Sequence, residues 1–207
     1  MSGTKNNTVL ILVEGALMIA LATALSFVKI FQLPWGGSVT LLSMLPIVLF
    51  SIRRGVKAGL LVSFVYALIQ FAQGAIVDGL FGWGLTAGSL IGCIMFDYIL
   101  AFTVLGLAGF LRKKKLAGWI IGIETVILIR FFFHLLSGTV IFHSAGLLWD
   151  SASIVINVEN SWLYSAIYNG AYMLPEMIFT ILGAVALFQV PAIRNIAAGK
   201  DAGSKDE

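Results

Sequence analysis

Residues 87–115 read AGSLIGCIMFDYILAFTVLGLAGFLRKKK, an apolar run whose one carboxylate is Asp97, closed by four consecutive cations, Arg112 to Lys115. A helix needs about 20 apolar residues to cross the roughly 30 Å hydrocarbon core of a bilayer. Lys and Arg gather in the cytoplasmic turns of membrane proteins. One stretch therefore supplies both a membrane span and its direction.

The same window, moved along the chain, predicts six spans, over 8–28, 38–52, 55–73, 87–111, 117–141 and 163–190. The second is short and holds Pro46, so a kink or a partly re-entrant path is expected there. Composition agrees. Of 207 residues 59% are hydrophobic and 11% charged, with a mean hydropathy of +1.00. A soluble domain carries about 25% charged residues, so this chain cannot clothe a water-facing surface. That excludes a soluble enzyme, a disordered chain and a coiled coil. The net charge of +3 does not point to nucleic acid, because the basic residues form no single patch. One cysteine, Cys93, excludes an internal disulfide and a cysteine-cluster metal site. Strand-like alternation is absent, so the fold class expected is an all-α integral membrane bundle of six transmembrane helices rather than a barrel.

Lys5, Arg53, Arg54, Lys57, Arg112 to Lys115, Arg194, Lys200 and Lys205 put 11 of the 13 basic residues on one side of that bundle. This side is expected to be cytoplasmic, with both termini there. Lys29 falls in the first outer loop and Arg130 inside the fifth span. The first apolar run lacks a small-residue cleavage site followed by polar sequence, and is expected to be retained. Residues 1–193 are then expected to form one six-span transmembrane domain, and 194–207 a short polar, loosely ordered cytoplasmic tail. The small-residue pairs Gly84/Gly88 and Gly88/Gly92 are expected to let helices approach closely.

Several chemistries have no sequence basis. There is no G-x-x-x-x-G-K-[ST] phosphate loop and no H-E-x-x-H metal motif. Ser137 follows His134 by three residues, but lacks a G-x-S-x-G turn, an oxyanion hole and an orienting third group. No enzyme is expected, and no catalytic residue, metal or cofactor is assigned.

Ionisable groups inside a bilayer cost about 2.5–3.5 kcal/mol each on insertion scales, so each is a functional candidate. Glu14 and Glu124 lie near the cytoplasmic ends, within reach of water or basic neighbours, and read as structural. Asp97 lies roughly 15 Å deep by helix rise. Arg130 is similarly deep, and His134 shares its helix face at i,i+4. Glu176 sits in the sixth span. Tyr164, Tyr168 and Tyr172 recur every four residues, with Asn169 beside them. Aromatic faces, an amide, an imidazole and a carboxylate converge in the outer half. This suits a pocket for a flat cationic heterocycle, with charge from the acid and stacking from the rings. The alternative from residue chemistry is that Asp97 and Arg130 neutralise one another while the tyrosines form an interfacial belt. Asn169 and His134 have no use in a belt.

At this level the segments Gly37-Ser-Val-Thr, Met44-Leu-Pro-Ile, Ser51-Ile-Arg-Arg-Gly-Val-Lys-Ala-Gly59, Phe96-Asp-Tyr-Ile-Leu-Ala-Phe, Arg130-Phe-Phe-Phe-His-Leu-Leu-Ser-Gly138 and Trp162-Leu-Tyr-Ser-Ala-Ile-Tyr-Asn169 carry a resemblance. In this order they resemble the thiamine-specific substrate-binding component (the ThiT family) of energy-coupling-factor vitamin transporters. The resemblance implies that Asp97, where some relatives carry Glu, holds the aminopyrimidine of thiamine. Tyr98, His134, Tyr164 and Asn169 match further binding positions, and Tyr168 belongs to the same stripe. Phe142 stands where some relatives stack a tryptophan on the thiazolium. Trp35 matches a tryptophan of the loop that covers the site, and Tyr66 a further ring. Ala16 and Ala20 match an Ala-x-x-x-Ala docking pattern.

The partners implied are thiamine, a transmembrane coupling subunit and two ATPase subunits that alone use ATP, all in a bacterial plasma membrane. Membrane lipid surrounds the chain and nucleic acid is not a partner. Other readings remain open at this point: a binding component for another vitamin or a thiamine precursor, or a solitary proton-coupled carrier using His134 and Asp97.

Overall fold

The computed structural model describes residues 2–33, 36–143, 146–150 and 155–198. Four stretches are long and apolar enough to cross a membrane: Asn7–Ser26, Val56–Ile76, Ala87–Ile141 and Ser161–Gln189. The third is 55 residues long and folds back on itself where the sequence carries its run of four cations. Lys115 takes a φ of 57°, and the Trp119 indole donates to the Arg112 carbonyl at 2.7 Å. The protein is a multi-pass, all-α membrane bundle.

Helix α1 (Ser2–Ser26) turns Val9, Leu12, Val13 and Leu17 outward, all more than half exposed. On its inner face Gly15 and Ala22 are buried. A Cβ on Gly15 would come within 2.8 Å of Val62, so this smooth stripe is what lets α1 lie against its neighbours. Glu14 pairs with Arg53 at 2.8 Å and with Arg54, as its position near the basic end led one to expect. A short antiparallel hairpin follows, β1 (Lys29–Gln32) with β2 (Ser38–Thr40).

The second predicted span, 38–52, is only partly a helix. Its first residues belong to β2, Leu42 takes a φ of 60°, and α2 runs from Leu45 to Arg54 with Pro46 in its first turn. Ten residues rise only about 15 Å, half the hydrocarbon core. Irregular backbone at membrane depth survives where protein rather than lipid surrounds it. That condition holds here: Met44, Leu45, Ile47, Val48, Phe50 and Ile52 are all buried.

Helix α3 (Val56–Ile76) leaves Gly55 and packs against α2. The next leg changes its winding three times. It comprises α4 (Ala87–Cys93), a π-helical stretch Ile94–Leu100, α5 (Ala101–Thr103) and a tight 3₁₀ stretch Val104–Lys114. The return leg is α6 (Lys115–Leu136), ending in a second π-helical turn, Ser137–Ile141.

The connection after it forms a hairpin, β3 (Gly146–Asp150) with β4 (Val155–Val158). Neither hairpin was legible as alternation, because strands of three to five residues are too short to show a period. Helix α7 (Ser161–Gln189) is capped by Asn160, and α8 (Pro191–Ala197) follows it. Residues 194–197, expected in a loosely ordered tail, are thus helical, and Ala197 is buried.

The basic end is packed backbone to backbone. Ser51 Oγ donates to the Gly106 carbonyl at 2.5 Å and accepts from the Gly109 amide at 3.0 Å. A Cβ on Gly106 would land on the backbone of Gly59 and Leu60. The expected close-approach motif behaves differently. Gly84 and Gly88 would meet nothing within 4 Å, and only Gly92 lies against another side chain, Ile141.

Gly106→Val is therefore expected to push α3 off the 3₁₀ leg, at about 1–3 kcal/mol for overpacking. Gly88→Ala leaves packing intact. Thermal unfolding of the detergent-purified variants, read by intrinsic fluorescence, checks the contrast.

Candidate functional site

The opposite, hairpin-bearing end of the bundle is hollow. A cavity of about 520 Å³, within the usual range for a small-molecule site, is enclosed by the β1–β2 hairpin, α3, the π-helical stretch, α6 and α7. Seven of the predicted residues line it: Asp97, Tyr98, His134, Phe142, Tyr164, Tyr168 and Asn169.

Asp97 sits in the middle of the π-helical stretch. There the wider winding turns its carboxylate toward α6, as such bulges often do at functional sites. It receives His134 Nδ1 at 2.8 Å and the Ser137 hydroxyl on its other oxygen. His134 and Ser137 are one turn apart, so together they clamp the acid. An ionised carboxylate only accepts, so Nδ1 is the donor in this bond, and in the neutral imidazole that tautomer leaves Nε2 as an acceptor. Nε2 is buried with no protein partner among the described residues. Ser137 and His134 therefore both address Asp97 rather than one another. A Ser/His nucleophile is not assembled. The neutralisation of Asp97 by Arg130, weighed above, does not occur either.

Arg130 instead faces Glu176. Its Nη1 lies 3.3 Å from Glu176 Oε2 and 2.9 Å from the Met44 sulfur, and the guanidinium lies 4.3 Å over the Phe102 ring. Thr40 donates to the other Glu176 oxygen at 2.5 Å and bonds Ser43 at 2.6 Å. This pair forms the deep floor of the cavity.

Asn169 works as a fastener between helices. Its amide nitrogen donates to the Ser165 carbonyl at 2.9 Å and the His134 carbonyl at 3.3 Å, and its oxygen accepts from Tyr172 Oη at 2.8 Å. Tyr172 meets His134 and Tyr168 edge to face, at 6.1 and 6.0 Å between ring centroids. The Gly37 amide donates to Tyr168 Oη at 3.3 Å, tying the hairpin to α7. A Cβ on Gly37 would come within 2.9 Å of both tyrosines, so only glycine permits this approach.

Two predicted positions fall elsewhere. Tyr66 does not line the cavity; it is fully buried one layer behind, edge-on to Phe102 at 5.7 Å. Trp35 lies outside the described residues. The aromatic ring beside Phe142 is Trp83, at 6.3 Å, which sequence reasoning missed because it stands in the loop before α4. Also unforeseen are Gln70 and Gln73, which bond Ser26, and the rim pair Lys29–Asp78 at 2.7 Å. Two amides one turn apart on an apolar helix were the available signal. Ala16 and Ala20 lie on the far side of α1, exposed, along a shallow apolar groove with Thr23, Phe27 and Val65. Among the described residues no cluster of three or more His, Cys, Asp or Glu could hold a metal ion.

Comparison with known proteins supplies the frame for this geometry. The chain is 32% identical to the thiamine transporter ThiT of Bacillus subtilis (strain 168), over 86% of this chain and 89% of that one. The fold matches that of a solved structure of ThiT from Listeria monocytogenes with a TM-score of 0.65, covering 91% of this chain and 98% of the other at 22% identity. Residues 12–194 match the family described as thiamine transporter protein, Thia_YuaJ. With that match spanning nearly all of its membrane helices, this chain belongs to the thiamine transporter protein family.

Proposed function

We propose that the chain is the thiamine-binding subunit of an energy-coupling-factor uptake system. The observation that carries this reading is the Asp97 carboxylate, clamped by His134 and Ser137 inside an aromatic-lined cavity. A carboxylate with about four acceptor positions keeps some for a ligand after accepting two bonds. Facing a bound aminopyrimidine, it accepts from the exocyclic amine, while His134 Nε2 offers a second acceptor. The thiazolium cation lies among Phe142, Trp83 and the tyrosines, whose ring faces attract positive charge. Phe142 gives a weaker cation–π contribution than a tryptophan, and Trp83 beside it supplements it.

The ligand enters from the hairpin-bearing end, which faces outward, and both termini lie in the cytoplasm. The basic residues at the opposite end support this orientation. The segment around Trp35 covers the site after entry. The chain itself uses no cofactor. ATP is hydrolysed by two partner ATPases, and a transmembrane coupling subunit docks on the α1 groove at Ala16 and Ala20. Small side chains there permit close helix approach in lipid, where packing rather than hydrophobicity drives association.

Asp97→Asn is expected to weaken equilibrium thiamine binding to the purified protein at least tenfold; wild-type affinity in that variant would remove the proposed role. Ala16→Trp with Ala20→Trp is expected to leave binding unchanged while abolishing ATP-dependent uptake in vesicles containing the coupling complex. Undiminished uptake by that variant would place the docking surface elsewhere.

A further inference from the structure

Among the described residues, the charged side chains that line the cavity are Lys29, Asp78, Asp97, Arg130 and Glu176, with the imidazoles of His134 and His143. They are arranged in pairs. Lys29 and Asp78 meet at the rim at 2.7 Å, and Arg130 and Glu176 meet at the floor at 3.3 Å. With the imidazoles neutral, three carboxylates stand against two cations, and the carboxylate left over is Asp97. The cavity therefore carries one uncompensated negative charge, matched to one positive charge on a ligand.

That balance depends on Glu176. Arg130 and Glu176 have side chains only 7% and 3% exposed, so water does little to screen either. Arg130 Nε has no hydrogen-bond partner among the described residues, and its other neighbours, the Met44 sulfur and the Phe102 face, carry no net charge. Glu176 is thus its counter-ion. Arg130 is also one turn from His134, the residue that holds Asp97. A guanidinium released from Glu176 would oppose a cationic ligand across the same small volume and compete with it for Asp97.

Resting on the thiamine reading above, we propose that Glu176 is a specificity-determining residue: by holding Arg130 neutral as a pair, it reserves the Asp97 charge for a cationic ligand. It acts through Arg130 and need not touch the ligand. Thr40, donating to Glu176 from the hairpin strand β2, keeps it in place. The buried ion pair is thereby assigned to the choice of ligand charge rather than to stability, for which such pairs are weak devices.

The test compares two ligands by equilibrium binding to the full chain in detergent. One is thiamine; the other is a neutral isostere whose thiazolium is replaced by an uncharged five-membered aromatic ring. Glu176→Gln keeps an acceptor oxygen for Thr40, removes the charge and sets an amide NH2 where Arg130 found its acceptor. It is expected to weaken thiamine about thirtyfold, about 2 kcal/mol, and the neutral isostere less than threefold. Arg130→Met combined with Glu176→Leu removes both charges and restores the balance, so its preference for thiamine over the isostere should return to within threefold of wild type. That double variant also guards against a folding defect in the single one, since paired apolar replacements of buried ion pairs are tolerated. Equal losses for the two ligands in Glu176→Gln, or a double variant that has lost its preference for the cation, would overturn the inference while leaving the thiamine reading intact. A wild-type protein that binds no thiamine would overturn both.

Discussion

A carboxylate at membrane depth is tolerated only where donors hold it, and the clamp on Asp97 by His134 and Ser137 is the interaction around which the hairpin-bearing half of this bundle is arranged. It draws the π-helical stretch of one leg against the end of α6. The same histidine turns its backbone carbonyl to Asn169 of α7, and Asn169 passes the connection to Tyr172. Three helices are registered by one chain of polar contacts. In lipid, where hydrophobicity gives no preference among helix faces, such contacts fix rotation as well as position. The winding follows from the same demand. A regular α-helix advances each side chain by 100°, and the π-helical stretch around Asp97 shifts that phase where the acid has to face inward.

The two ends of the molecule solve opposite problems. At the basic end, glycines at 59, 106 and 109 bring backbones together around Ser51, leaving no room for a ligand. At the hairpin end, tyrosines, phenylalanines and a tryptophan pack tilted or edge to face around a cavity of about 520 Å³. The short helix α2 is what makes the difference. Because it begins only at Leu45, the space that a full span would fill is left to the β1–β2 hairpin, and strand β2 with the turn after it brings Thr40 and Ser43 to the cavity wall.

Much of this was legible from residues alone. Asp97 and His134 stood out because ionisable groups in apolar spans are expensive, and the tyrosine stripe stood out by its spacing of four. What could not be read was the rotation of one helix against another. Arg130 had two acids within plausible reach, and no periodicity distinguishes Asp97 from Glu176 as its partner. The structure chooses Glu176. Tyr66 shows the same limit along the helix axis. It shares a face of α3 with Gln70 and Gln73, which line the cavity where Tyr66 does not. Trp83 and the hairpins escaped because short irregular segments have no period to read.

The Asp97 clamp and the floor pair also divide the electrostatic labour in a way that single-residue reading would miss. A cavity with one acid and one neighbouring base would have no net preference for a cation, and a cavity with two free acids would bear a repulsion that raises one of their affinities for protons. Placing Arg130 against Glu176, beneath Asp97, avoids both outcomes. Thr40 and the Phe102 ring hold that pair from two sides, so on the proposal made above they would take part in the recognition of charge along with the residues nearer the mouth. The depth of the arrangement has a further consequence. Buried charges are screened by salt far less than exposed ones, so the proposed preference for a cation would persist at ionic strengths that silence the exposed basic residues at the other end.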